Sequence, residues 1–200
     1  MKKSTTIIYC LAIAILSSTS FAQQQSPESM LATQREKLAA FARMNGVWRG
    51  ESWVILPSGE KNVIVHTERV GSMLEGAVKV IEGRGYDKEG KVVFNAFASM
   101  AYDEGKKAIT MQSYAQGRVG NYVVTPTEKG FTWEIPAGPT TIRYVAEISH
   151  EKWFEYGERI VQGRDPFRFI EMTLTRVGDT DWPSADPVPM LEAKEGRTKQ

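Results

Sequence analysis

The chain has 200 residues, with 25 Lys and Arg set against 24 Asp and Glu and a single cysteine, Cys10. So balanced a charge leaves no basic excess to drive nucleic-acid or anionic-membrane binding. One thiol excludes an internal disulfide and any multi-cysteine metal site.

The first 22 residues read as a signal peptide. Lys2 and Lys3 form a positive start and Ile7 to Leu16 an apolar run, too short to span a bilayer comfortably. Ser20-Phe21-Ala22 fits a small-x-small cleavage site. Cys10 lies inside the apolar run rather than after it, which argues against a lipidated cysteine. Cleavage after Ala22 leaves about 178 residues, enough for one sizeable core and with no membrane span. Basic residues then fall from 25 to 23 against 24 acidic ones, a charge of about −1. The expected location is outside the cytoplasm, periplasmic or secreted.

Residues 23–45 read as an N-terminal arm and helix. Ser26 can cap, Pro27 suits the first helical position, and Glu28 faces the positive end of the helix dipole. Leu31, Leu38, Phe41 and Met44 form an apolar stripe, and Asn45-Gly46 supplies a stop. The helix is expected to pack across one end of the strand-rich region.

From residue 46 to residue 177 the period changes to two. Val47 to Leu56 reads as a strand, then Asn62 to Val70, with Ile64, His66 and Glu68 on one face and Val63, Val65 and Thr67 on the other. A break at Gly71 separates it from Met73 to Glu82. Further strands run from Val92 to Tyr102, Ala108 to Tyr114, Tyr122 to Thr125, Phe131 to Ile135, Thr140 to Ser149, Trp153 to Val161 and Phe167 to Val177. Gly- and Asp-rich turns separate them at roughly eight to fifteen residues, the pattern of an all-β sandwich or up-and-down barrel. Tyr86-Asp87-Lys88-Glu89-Gly90 and Tyr102-Asp103-Glu104-Gly105 are similar hairpin ends. Neither has the alternating oxygens of a metal loop. No second helical pattern supports parallel crossovers, so the expected fold is a single antiparallel barrel of about ten strands. Residues 178–200, with Pro183, Pro187 and Pro189, read as an irregular or disordered tail from which Trp182 and Met190 can return to the barrel.

Gly46-Val47-Trp48-Arg49-Gly50, after a short helix and before a run of strands, resembles the opening motif of the lipocalin and calycin barrels. Its form is closest to nitrobindin-like and bacterial lipocalin-like domains. The resemblance implies that Trp48 plugs the closed end of the barrel and that Arg176 on the last strand lies over its ring, both as structural residues. It also implies a small apolar ligand inside. The nitrobindin-like branch would imply haem held by a histidine on a late strand, but His150 stands in a Ser149-His150-Glu151-Lys152 turn. The cofactor expectation is therefore none, with haem as the departure to test.

No Gly-x-Ser-x-Gly elbow or phosphate loop is present, so no catalytic residue is assigned and no metal is expected. The candidates for ligand contact are Arg143, Tyr144, Glu155, Trp133 and His66. Arg143 would fix an acidic head group if its face turns inward; on the other face it meets solvent, and a one-residue slip exchanges the two. His66 reads most simply as a hydrogen-bonded strand histidine. The aromatic residues either line a cavity or fill the barrel. The leading reading is an exported barrel binding a small, mostly apolar molecule. The alternatives are an enzyme on the same barrel acting on a lipid-like substrate and a ligand-free interaction protein. Oligomeric state is left open.

Overall fold

The structure is a computed structural model that describes residues 26–182. The expected signal peptide 1–22, the first residues of the N-terminal arm and the tail beyond Trp182, Met190 included, lie outside the described residues. Ser26 caps the first helix, its Oγ accepting the Ser29 N–H at 3.2 Å. Helix α1 (Pro27–Leu38) then tightens into a 3₁₀ turn (Ala39–Met44), which turns Leu38, Phe41 and Met44 into the core. No helix of the described residues is long and apolar enough to cross a membrane.

Ten strands complete the described residues: β1 (Gly46–Ile55), β2 (Lys61–Met73), β3 (Val78–Tyr86), β4 (Val92–Asp103), β5 (Ala108–Ala115), β6 (Arg118–Pro126), β7 (Gly130–Ala137), β8 (Thr140–Ile148), β9 (Lys152–Val161) and β10 (Phe167–Gly178). Each pairs antiparallel with its sequence neighbours, and β10 returns to β1, so the sheet closes as an up-and-down barrel. Closure leaves no free edge to aggregate. The β6–β7 ladder is the weak seam. It has three residue pairs, ending at Val124–Trp133, where the other junctions have seven to ten. Beyond Trp133 the two strands separate.

The expected break at Gly71 is not a turn. β2 runs on to Met73, and the chain reverses at Leu74–Gly76, where Leu74, Glu75 and Gly76 all take positive φ. Gly71 serves a different need: a Cβ there would sit 2.6 Å from Cβ of Trp182. Trp182 does return to the barrel, packing on the outside of β2, where the Arg69 guanidinium lies 4.3 Å over its ring and pairs with Asp181.

The helix closes one end. Phe41 meets Phe131 with ring centroids 5.8 Å apart, and the fully buried Trp48 stands edge-on to Trp153 at 5.9 Å. The Trp48 indole N–H donates to the Met44 carbonyl at 2.9 Å, tying β1 to the helical cap. Arg176 is the register partner of Trp48, but the expected guanidinium–indole stack is not among the cation–π contacts of the described residues. Arg176 lies against Gly46, donates to the Asn45 carbonyl at 3.4 Å, and pairs with Asp179. Carbonyl and carboxylate partners at that point hold the cation to the rim rather than the ring.

Candidate functional site

The half of the barrel away from the helix is hollow. A cavity of about 350 Å³ is lined by aromatic residues Phe94 (β4), Tyr122 (β6), Trp133 (β7) and Tyr144 (β8), with Ile170 and Met172 (β10) opposite. Adjacent strands bring the aromatic residues together. Trp133 and Tyr144 are register partners and stack with centroids 4.2 Å apart, while Tyr122 leans on Trp133 at 5.0 Å. Phe94 packs against His66 at 5.4 Å.

The inner end is polar. Ser52 (β1), His66 and Glu68 (β2) form a hydrogen-bonded chain: Ser52 Oγ lies 3.0 Å from His66 Nδ1, and His66 Nε2 lies 2.9 Å from Glu68 Oε1. A carboxylate can only accept, so Nε2 carries the proton toward Glu68, while Nδ1 and the Ser52 hydroxyl share the second hydrogen bond. The second oxygen of Glu68, Oε2, is buried with no partner among the described residues. Leaving a buried carboxylate oxygen unpaired is costly.

Glu155 (β9) faces the same space. It is half-buried, and burial pushes its pKa up to about 7. The nearby Glu68 charge adds to the rise. The Trp153 indole N–H, which donates to Glu155 Oε2 at 3.1 Å, and Trp133 favour the charged form without offsetting it. Burial, aided by Glu155, also pushes the Tyr144 phenol up to about 12. Among the described residues Glu155 makes no salt bridge, and Glu68 makes one only with His66. Among the described residues arginine enters this region only toward the mouth, as Arg118 on the lining and as the exposed Arg159, stacked 4.7 Å over Phe169.

Glycines make room for this set. A Cβ on Gly83 would fall 2.6 Å from Glu68 Oε1, and one on Gly157 would fall 2.8 Å from Cε1 of Tyr144. Both side chains lie flat on the backbone of the strand beside them.

Of the five expected contact residues, Tyr144, Glu155, Trp133 and His66 line this cavity together. Arg143 does not. It sits between Ile142 and Tyr144 on the opposite face of β8, where its Nε donates to Glu158 Oε1 at 2.9 Å and its side chain is 39 % exposed. The face of β8 that brings Tyr144 inward necessarily turns Arg143 out. His150 occupies the exposed β8–β9 connection, away from the cavity lining. Sequence reasoning does not single out Ser52 or Glu68. For Glu68 a signal exists, since residue i+2 on a strand shares the face of His66. Ser52 is recognisable only through the β1–β2 register, which sets it opposite Ile64 and within reach of His66.

No known protein family matches the sequence, and no curated protein does either. Among solved structures, the S-type phycobiliprotein lyase CPES from Guillardia theta is similar at 11% identity and a TM-score of 0.47, over 78% of this chain and 98% of that one.

Proposed function

We propose that the protein is an exported, lipocalin-like barrel that holds a small, mostly apolar molecule in its interior. The observation that carries this reading is the aromatic-walled cavity with a polar inner end. At about 350 Å³ it falls within the ~300–1,000 Å³ of small-molecule sites. A barrel built only as a scaffold would fill that space with side chains, as this one does at its helical end. The Gly46-x-Trp48 opening and the plugged end support the lipocalin-like assignment. The Lys2-Lys3 start, the apolar run and Ser20-Phe21-Ala22 support export.

Native mass spectrometry of the exported protein, purified without refolding, tests the binding reading. The expected result is a reproducible mass excess released by organic solvent; a haem-sized excess would revise the ligand class. Amino-terminal sequencing of the same material tests export, with Gln23 expected as the first residue.

The Ser52–His66–Glu68 chain favours a second reading, an enzyme on the same barrel. There His66 would move a proton between Ser52 and a lipid-like substrate, with Glu68 orienting the ring. Turnover of acyl esters that disappears in both Ser52→Ala and His66→Ala would select this reading over simple binding.

A further inference from the structure

The charge in this cavity has one sign at its inner end. Glu68 and Glu155 face the cavity there, and among the described residues no lysine or arginine lies within salt-bridge reach of either. One oxygen of Glu68 has no partner among them at all. The groups around Glu155 are His66 and Glu68 from β2, Trp133 from β7, Tyr144 from β8 and Trp153 from its own strand. Among these, the imidazole is already committed to Ser52 and Glu68. Beside this hollow space Glu68 has only the imidazole and Glu155 has no cationic side chain as a partner among the described residues, so a ligand cation would supply a counter-charge that the barrel wall lacks.

The walls around that space suit the same class of ligand. Aromatic faces attract cations through their quadrupoles, most strongly when water is excluded, and Trp is the strongest of them. Trp133, Tyr144 and Tyr122 meet in one cluster, with Phe94 across the cavity. An anion would meet Glu68 and Glu155 as like charges. The acidic head group expected from an inward Arg143 has no counter-charge at this depth.

We propose that the inner end of the cavity is a receptor for a protonated amine carried on a flat apolar body: the ammonium group meets the carboxylates of Glu155 and Glu68, and the body lies among Trp133, Tyr144, Tyr122 and Phe94. This rests on the reading of the barrel as a binding protein and names the class of molecule it takes. Below about pH 7, where burial keeps Glu155 protonated, that carboxyl ionises when the ammonium binds. The proton it releases leaves to solvent.

Three naphthalene probes of nearly one shape separate the possibilities: naphthylmethylamine (cationic), naphthalenemethanol (neutral) and naphthoic acid (anionic). Each is titrated calorimetrically into the exported protein at pH 8. The expected result is that the amine binds at least about tenfold tighter than the alcohol, and the acid weakest of the three. In Glu155→Gln and Glu68→Gln the ratio of amine to alcohol affinity should fall toward one. An alcohol or acid that binds as well as the amine overturns the proposal and leaves the binding reading standing. A preference for the amine that survives both substitutions overturns the placement and with it the proposal. Failure of all three probes to bind at millimolar concentration overturns both. The ranking of probes on the unsubstituted protein stands by itself should either variant fold poorly.

Discussion

The rings of Trp133 and Tyr144 lie parallel to within 7°, centroids 4.2 Å apart, on register-paired positions of β7 and β8. Tyr144 holds this position because its ring rests on Gly157 of β9, where a Cβ would come 2.8 Å from Cε1 of Tyr144 and 2.6 Å from Cγ2 of Ile170. The aromatic wall therefore depends on a residue with no side chain. Gly157→Ala should push Tyr144 off its bed and cost roughly 1–3 kcal/mol, as overpacking of a fitted core does. Urea denaturation measures the loss, and native mass spectrometry should find less retained molecule at equal protein concentration. Unchanged stability and retention would mean that the wall is softer than its packing implies.

Much of this architecture is legible in the chain. Period-two alternation from Val47 onward, punctuated by Gly and Asp turns, specifies ten antiparallel strands, and alternation alone puts His66 and Glu68 on one face. The side of the sheet is not legible for Arg143 and Tyr144, because adjacent strand residues exchange faces with a one-residue slip. Only the ladder decides, and it sends Tyr144 in. The glycines mislead for a related reason. Gly71 looks like a turn in a linear reading, yet its missing side chain makes room for Trp182, distant in sequence. The hydrogen bond between Ser52 and His66 also depends on the pairing of β1 with β2.

The plug at the helical end has a large expected energy. Trp48 has no exposed surface, donates to the Met44 carbonyl and meets the edge of Trp153. Trp48→Ala should destabilise the protein by roughly 3–5 kcal/mol through lost burial and the cavity left behind. Chemical denaturation followed by far-ultraviolet circular dichroism checks this. A variant as stable as the parent would remove the plug argument.

Lys79 is a buried cation without a carboxylate among the described residues. It is 2 % exposed on β3, and its Nζ donates to Asn45 Oδ1 and to Ser72 Oγ, the latter at 3.2 Å. Burial lowers its pKa to about 8 from the ordinary 10.5. Between those values the unfolded chain binds a proton that the folded protein does not, so this residue makes stability rise with pH across that window. Below about pH 8 the folded state carries the full penalty. Lys79→Met keeps the volume and removes the charge, and Asn45 and Ser72 can still bond each other at 3.4 Å. The variant should gain roughly 1–3 kcal/mol at pH 7, an advantage that shrinks as pH climbs toward 10. Equal stability at pH 7 would mean that water reaches the ammonium.

Glu155 gives the opposite slope at lower pH. Its folded-state pKa of about 7 lies above the ordinary 4.5, so between those values the folded protein holds a proton that the unfolded chain releases. The contribution to stability is present below about pH 4.5 and is lost as pH rises through about 7. A shift of this size corresponds to on the order of 3 kcal/mol. Glu155→Gln cannot ionise, so its stability should not fall across this window as the parent's does, and urea midpoints at pH 5 and pH 8 should separate the two proteins at pH 8 only. A bound ammonium favours the ionised carboxylate and should therefore reverse the parent's trend. Naphthylmethylamine should bind more tightly as pH rises from 5 to 8, releasing a proton measurable as a buffer-dependent heat. Naphthalenemethanol should do neither. If the amine's affinity is flat across that range, Glu155 is not its counter-charge.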